Sequence, residues 1–223
     1  MLKKILILLM AICGTAAVAN ANLLADPGFE SPDASGGDLN WVDGWLSFGD
    51  PSFSLVTQTQ AESGLQSLKM FGPWVIGEGV GLLQTFAASE GQTWVAEVSS
   101  FNSGSDPMGT GNFCAMKIEF LDAGYGPVGG SWLAGINVFE VWVADEYSPL
   151  DTWRRFGVGT APAPTGTAFA NYVLLEVQGY DGSDPWVPSG GSVFLDNACF
   201  IPEPTTLAIL GFGVLGVLRK GRA

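Results

Sequence analysis

The chain has 223 residues, no histidine, and 22 acids against nine lysines and arginines, a net charge of −13. Without histidine there is no Ser-His-Asp or Cys-His nucleophile, no His-ligated zinc and no ordinary general base at neutral pH. Between residues 22 and 201 the imbalance sharpens: Lys69, Lys117, Arg154 and Arg155 face 21 acids, a net −17. Nucleic acid is not expected as a partner, because neutralising phosphates needs basic clusters. A chain this acidic favours a bound cation, although solubility alone also accounts for the charge.

In chain order, Lys3 and Lys4, the apolar run Ile5 to Ile12, and Ala19-Asn20-Ala21 read as a secretory signal peptide over 1–21, cleaved after Ala21. Cys13 would suit a lipoprotein signal, but Ile12 stands where that route wants a small residue. After cleavage only Cys114 and Cys199 remain. An oxidising compartment favours a bridge between them. Strand parity opposes it, since Cys114 shares a face with Met116, Ile118 and Phe120, whereas Cys199 alternates with an inward Ala198 and Phe200.

Residues 22–201 have the length of one domain. Eight runs in it are rich in branched and aromatic residues and bounded by Gly, Pro, Asp, Asn or Ser: SFSLVTQ, QSLKMFG, GLLQTFAA, QTWVAEVSSF, CAMKIEFLDA, WRRFGVGTA, NYVLLEVQG and SVFLDNACFI. With no sustained helical period, they predict an all-β, two-sheet jelly-roll β-sandwich. Gly-Ser-Asp-Pro at 104–107 and again at 182–185 reads as a recurring Asp-Pro turn. The stretch WLAGINVFEVWVADEYSPLD, 132–151, reads as an irregular aromatic insertion. Among 21 acids a pair at glycosidase separation arises by chance, so no catalytic residue is assigned and the chain is not expected to be an enzyme.

The chain ends IPEPTTLAILGFGVLGVLRKGRA. Leu207 to Leu218 has no polar residue, and Thr205 to Leu218 as a helix covers roughly 21 Å against a hydrocarbon core of ~30 Å. Such a segment is short for a membrane span and would also suit a buried core helix. Pro202 and Pro204 before it and Arg219, Lys220 and Arg222 after it favour a membrane segment with its basic end in the cytoplasm. Pro202-Glu203-Pro204, the apolar stretch and the basic terminus, over 202–223, resemble the PEP-CTERM sorting signal. That resemblance implies processing by an exosortase, transient residence in the inner membrane, and delivery to the cell surface or extracellular matrix of a polysaccharide-making bacterium.

A second resemblance covers most of the domain. NLLADPGFE (22–30), GW (44–45), AESGLQSLKMFG (61–72), LLQTFAASEGQTW (82–94), IEFLDAGYGPVG (118–129), TWRRF (152–156) and GSVFLDNACF (191–200) look like the landmarks of carbohydrate-binding modules with a galactose-binding-domain-like jelly roll. The resemblance implies non-catalytic binding of extracellular polysaccharide, with Trp45, Trp94 and Trp153 in the core. It also implies a structural Ca2+ held by Glu30 and Asp196 near Gly64, unless each carboxylate only caps a turn. Sugar rings stack on exposed aromatic faces. The candidate platforms are Trp186, Trp142, Trp132 and Trp74, with Gln84 on the strand after Trp74, while Trp41 suits either role. A structural or adhesive sandwich with a protein partner and a carboxylate-based glycan-active enzyme are the other readings.

Overall fold

The computed structural model describes residues 22–129, 137–182, 184 and 186–203. Ala19, Ala21, Trp132, Pro204, Arg219, Lys220 and Arg222 lie outside the described residues. Ten strands follow in order: β1 (Leu46–Phe48), β2 (Ser54–Thr57), β3 (Ser67–Phe71), β4 (Gly79–Ala87), β5 (Thr93–Asn102), β6 (Phe113–Leu121), β7 (Val138–Asp145), β8 (Arg154–Gly159), β9 (Phe169–Val177) and β10 (Ser192–Glu203). They form two five-stranded antiparallel sheets, β1-β4-β9-β6-β7 and β2-β3-β10-β5-β8, packed face to face as a jelly-roll sandwich. A helical turn, Pro51–Phe53, is held by the Asp50 side chain accepting from the Ser52 amide.

All eight sequence runs become strands, and two more appear. β1 is too short to show a period. β7 corrects the reading of 132–151 as irregular: its residues 138–145 pair with β6 as the edge of the first sheet, in register Lys117↔Glu140 and Ala115↔Trp142. Val138, Phe139, Val141 and Val143 supply the branched and aromatic residues a strand needs.

Between the sheets, alternation places Cys114, Met116, Ile118 and Phe120 of β6 against Trp94, Ala96 and Val98 of β5 and Leu195, Ala198 and Phe200 of β10. Phe200 is the hub, stacked on Trp94 at 4.6 Å and meeting Tyr172 and Phe86 edge-on or tilted. The Tyr172 hydroxyl crosses the gap to donate to the Glu97 carbonyl. Trp45 packs between Phe29 and Tyr172 at the edge of this core. Trp153 differs from the expectation: it lies against Phe101 on the outer face of the second sheet, in a satellite cluster with Phe194. Cys114 is buried and Cys199 half-buried, and both are free thiols. The inward Ala198 and Phe200 turn Cys199 outward, as parity requires.

Glu176 breaks the pattern. It lies on the inward face of β9, opposite Cys114 on β6 and Val80 on β4, fully buried, and neither carboxylate oxygen has a partner. Burial pushes its pKa up to about 8. A carboxyl whose folded pKa lies above its unfolded one contributes stability below the unfolded value and loses it as pH rises through the folded value. Wild type should therefore lose about 4 kcal/mol relative to Glu176→Gln between pH 5 and pH 8, at about 1.4 kcal/mol per unit. Urea unfolding of both proteins at the two pH values checks this. Parallel pH profiles would show that Glu176 is solvated.

Candidate functional site

β9 and β6 sit inside the first sheet, and the middle of their outer face is buried as well as the inner one. Their inward residues make the core. Outward-pointing Lys117, Glu119, Asn171 and Val173 are buried too, which an open, flat antiparallel face would not allow. They form the floor of a cleft of about 430 Å3 on the outer face of the sheet. Phe48, Leu83, Val173 and Leu175 supply an apolar half, and Lys117, Glu119 and Asn171 a polar one. Phe48 reaches the floor because β4 has glycine opposite it. A Cβ at Gly81 would come within 2.4 Å of the Phe48 ring.

The polar side chains form a chain across three strands. The Thr85 hydroxyl donates to Asn171 Oδ1 at 2.7 Å, and Asn171 Nδ2 donates to Glu119 Oε2 at 3.5 Å. Lys117 pairs with Glu140 on β7 at 3.4 Å, and Glu140 also accepts from the Trp142 indole at 2.9 Å. Burial raises the pKa of Glu119, against the opposing pull of Lys117 and the Asn171 hydrogen bond. Glu119 thus keeps acceptor capacity directed into the cleft, since a carboxylate offers about four lone-pair sites and its one hydrogen bond is long.

Each end of this face carries a stacked ring pair. Phe113 and Trp142 stack at 4.4 Å and 12°, beside the Val177 end of β9. Tyr125 and Phe169 stack at 4.5 Å and 9°, at its Phe169 end. Tyr125 is presented by a turn in which Asp122 Oδ1 accepts from the Gly124 and Gly126 amides. Between the pairs, β9 spans about 27 Å at ~3.4 Å per residue. The arrangement suits an extended, hydroxyl-bearing chain: rings to stack at both ends, and donors and acceptors between them.

Of the sequence candidates, Trp142 alone among the described residues belongs to this face. Gln84 is corrected: it points inward, its amide donating to the Ala25 carbonyl and accepting from the Ala25 amide. Trp74 lies in the β3–β4 loop, its amide held by Gln178. Trp186, 87% exposed, lies in the loop after β9. Trp41 is exposed ahead of β1. With Val75, Ile76, Tyr180 and Val187, Trp74 and Trp186 make one pole of the sandwich apolar. Lys117, Glu119 and Asn171 line the cleft, and Phe113 and Tyr125 belong to the ring pairs at the ends of the face. In the sequence they look like ordinary outward positions.

Glu30 and Asp196 come together at one turn. Asp196, fully buried, accepts from the Glu62 and Ser63 amides through Oδ2, and Glu30 Oε1 accepts from Leu65 and Gln66. A Cβ at Gly28 would touch both side chains, and one at Gly64, where φ is +64°, would collide with Glu30 Oε1. Burial is the main force raising the Asp196 carboxyl pKa. Asp196 Oδ1 also accepts from the Asn197 amide, so both carboxylates cap the backbone of this turn. Among the described residues no group of three or more acids or cysteines is arranged to hold a metal. A larger, more open hollow of about 550 Å3 lies over β10 where its register with β5 shifts between Asp196 and Cys199, but no aromatic side chain lines it. Its Arg155 is engaged by Glu97 and the Asn197 carbonyl.

Residues 200–223 match the PEP-CTERM protein-sorting motif, so the chain carries that signal of export and sorting through the membrane. No curated protein matches the chain. Among solved structures it is similar to TmCBM61 in complex with β-1,4-galactotriose, at 18% identity over 82% of this chain and 99% of that one, TM-score 0.50. It is also similar to the CBM22-1 xylan-binding domain of Paenibacillus barcinonensis Xyn10C, at 15% identity over 82% and 96%, TM-score 0.47. The shared feature is the jelly-roll fold.

Exposure separates the tryptophans by mutation. Trp142→Ala should change unfolding free energy by no more than about 1 kcal/mol. Trp94→Ala, emptying a core site, should cost about 3–5 kcal/mol. Denaturant titration of both variants measures the contrast, and equal losses would mean the Trp142 ring supports the sheet.

Proposed function

We propose that this is an exported, non-catalytic protein that binds extracellular polysaccharide, laying an extended chain in the cleft of the first sheet. The observation carrying the proposal is the buried polar floor of Lys117, Glu119 and Asn171 running between two stacked ring pairs. Sugar hydroxyls need such donors and acceptors, and pyranose faces need such rings. The jelly roll shared with TmCBM61, a structure holding β-1,4-galactotriose, supports the same reading. Absence of catalysis fits the floor, where Glu140 is engaged by Lys117 and Trp142 and leaves Glu119 without a second free carboxylate beside it. The sorting motif supports processing by an exosortase after transit through the inner membrane, and final residence on the cell surface or in the matrix.

Affinity electrophoresis against a panel of soluble polysaccharides tests the proposal. Trp142→Ala and Tyr125→Ala should each weaken binding by about 2 kcal/mol, the scale of aromatic hot spots, while Trp186→Ala and Trp74→Ala leave it unchanged. One observation favours an adhesive protein-binding role, namely the exposed apolar pole of Trp74, Val75, Ile76 and Trp186. Loss of binding confined to those pole variants would move the site there.

The Glu30–Asp196 turn is proposed as a structural Ca2+ site, with those two carboxylates and neighbouring main-chain oxygens as ligands. A ion bound only by the folded state raises its stability by mass action. Ca2+ should therefore raise the melting temperature of wild type and leave Glu30→Ala/Asp196→Ala unaffected. An equal rise in the double variant would reduce the effect to general screening of an acidic protein.

A further inference from the structure

We infer that the cleft selects uncharged polysaccharide and rejects chains bearing uronate or sulfate groups, and that Glu119 is the specificity-determining residue. This rests on the polysaccharide-binding reading above and adds the chemical class of the ligand. The floor holds one carboxylate, Glu119, and one amine, Lys117, with Glu140 beside Lys117 on the edge strand β7. Lys117 is closed off by Glu140 at 3.4 Å, with side-chain exposures of only 11% and 17% for the pair. Glu140 is further committed to the Trp142 indole at 2.9 Å. The group left to meet a ligand is therefore the carboxylate of Glu119, 7% exposed, which accepts a long hydrogen bond from Asn171 at 3.5 Å.

A buried carboxylate accepts hydroxyl protons through short, charge-assisted hydrogen bonds, which a neutral sugar supplies along its whole length. It has no favourable contact to offer a second anion. The low dielectric of a water-poor floor magnifies the repulsion. No cation on the floor is free to offset it, since Lys117 is already paired. Building discrimination from an unfavourable charge is a recognised route to specificity, because the wrong ligand is penalised more than the right one is attracted.

The test uses the full-length protein at low ionic strength, where charge effects are largest. The probes are neutral polymers (a β-1,4-galactan, a mannan, a β-glucan) and acidic ones (polygalacturonate, alginate, dextran sulfate). Wild type should retain at least one neutral polymer and bind acidic ones at least roughly tenfold more weakly. Glu119→Gln keeps the shape and removes the charge, so the acidic-to-neutral affinity ratio should rise roughly tenfold at unchanged melting temperature. Glu140→Gln, which frees Lys117, should move the ratio the same way. Asp38→Asn removes an equal charge from an exposed site beside β2, in the other sheet, and should leave the ratio alone.

Acidic polymers bound as well as neutral ones by wild type would overturn the inference while leaving the binding function intact. A ratio that moves equally in Asp38→Asn and Glu119→Gln would overturn it too, assigning selectivity to overall charge. Retention of no polymer of either class would sink the polysaccharide-binding reading and this inference with it.

Discussion

Buried backbone groups must find partners, and in this sandwich three glutamines supply them where no strand can. Gln66 accepts from the Ala34 amide and donates to the Phe29 and Pro32 carbonyls. Gln84 ties the peptide of Ala25. Gln178 accepts from the Trp74 amide and donates to Ser189, Gly179 and Asn112. All three are buried. Together they pin residues 22–45, which contain no strand, and the loops at the apolar pole, which hold Trp74 and Trp186. An unpaired amide in the same places would cost about 1–3 kcal/mol each. The glutamines add to the backbone bonds by which the N-terminal segment meets the second sheet, Leu23 with Phe200, Pro27 with Ala198 and Leu39 with Val56, and so help to hold Glu30 beside Asp196.

The same glutamines explain what the sequence could and could not disclose. Alternation is a local signal, so the strand runs and the inward parity of Cys114, Met116, Ile118 and Phe120 were readable. Partners 59 or 104 positions apart leave no local trace, so Gln84, on the strand after Trp74, reads in the sequence as a ligand-facing amide. The cleft was hidden for a related reason. Lys117, Glu119 and Asn171 fall on outward positions, where polar residues are the ordinary choice. Only the neighbouring strands, including a β7 read as loop, bury them. The charge composition did contain one usable hint: with four basic residues in the domain, Lys117 is one of two lysines there, and it stands two residues from Glu119 in an otherwise apolar run.

Aromatic residues divide by what lies behind them. Trp94 and Phe200 stack within the core and exclude water from both sides. Trp142 and Tyr125 each rest on a phenylalanine that covers one face and leaves the other to solvent. A ring backed in this way loses little conformational freedom when a ligand arrives, which favours tight contact for a given area. Trp186, 87% exposed and with no ring contact among those described, lacks that preorganisation. The proposed platforms are therefore distinguished from Trp186 by the ring beneath them and not by exposure.

β10 joins the fold to the sorting signal without an intervening linker. The matched motif begins at Phe200, the hub of the core, and its next residues remain in the ladder with β5, Pro202 opposite Trp94 and Glu203 opposite Thr93. Thr93 also donates to Glu203 through its hydroxyl. Since Pro lacks an amide proton, the ladder is already weakened at Pro202, which makes it a natural place for strand order to end. Detaching the tail beyond Glu203 leaves every core contact of Phe200 in place. Detaching it at Phe200 would remove the ring on which Trp94, Tyr172 and Phe86 converge. The packing thus bears on the proposed processing: the contacts that converge on Phe200 survive only a cut on its far side.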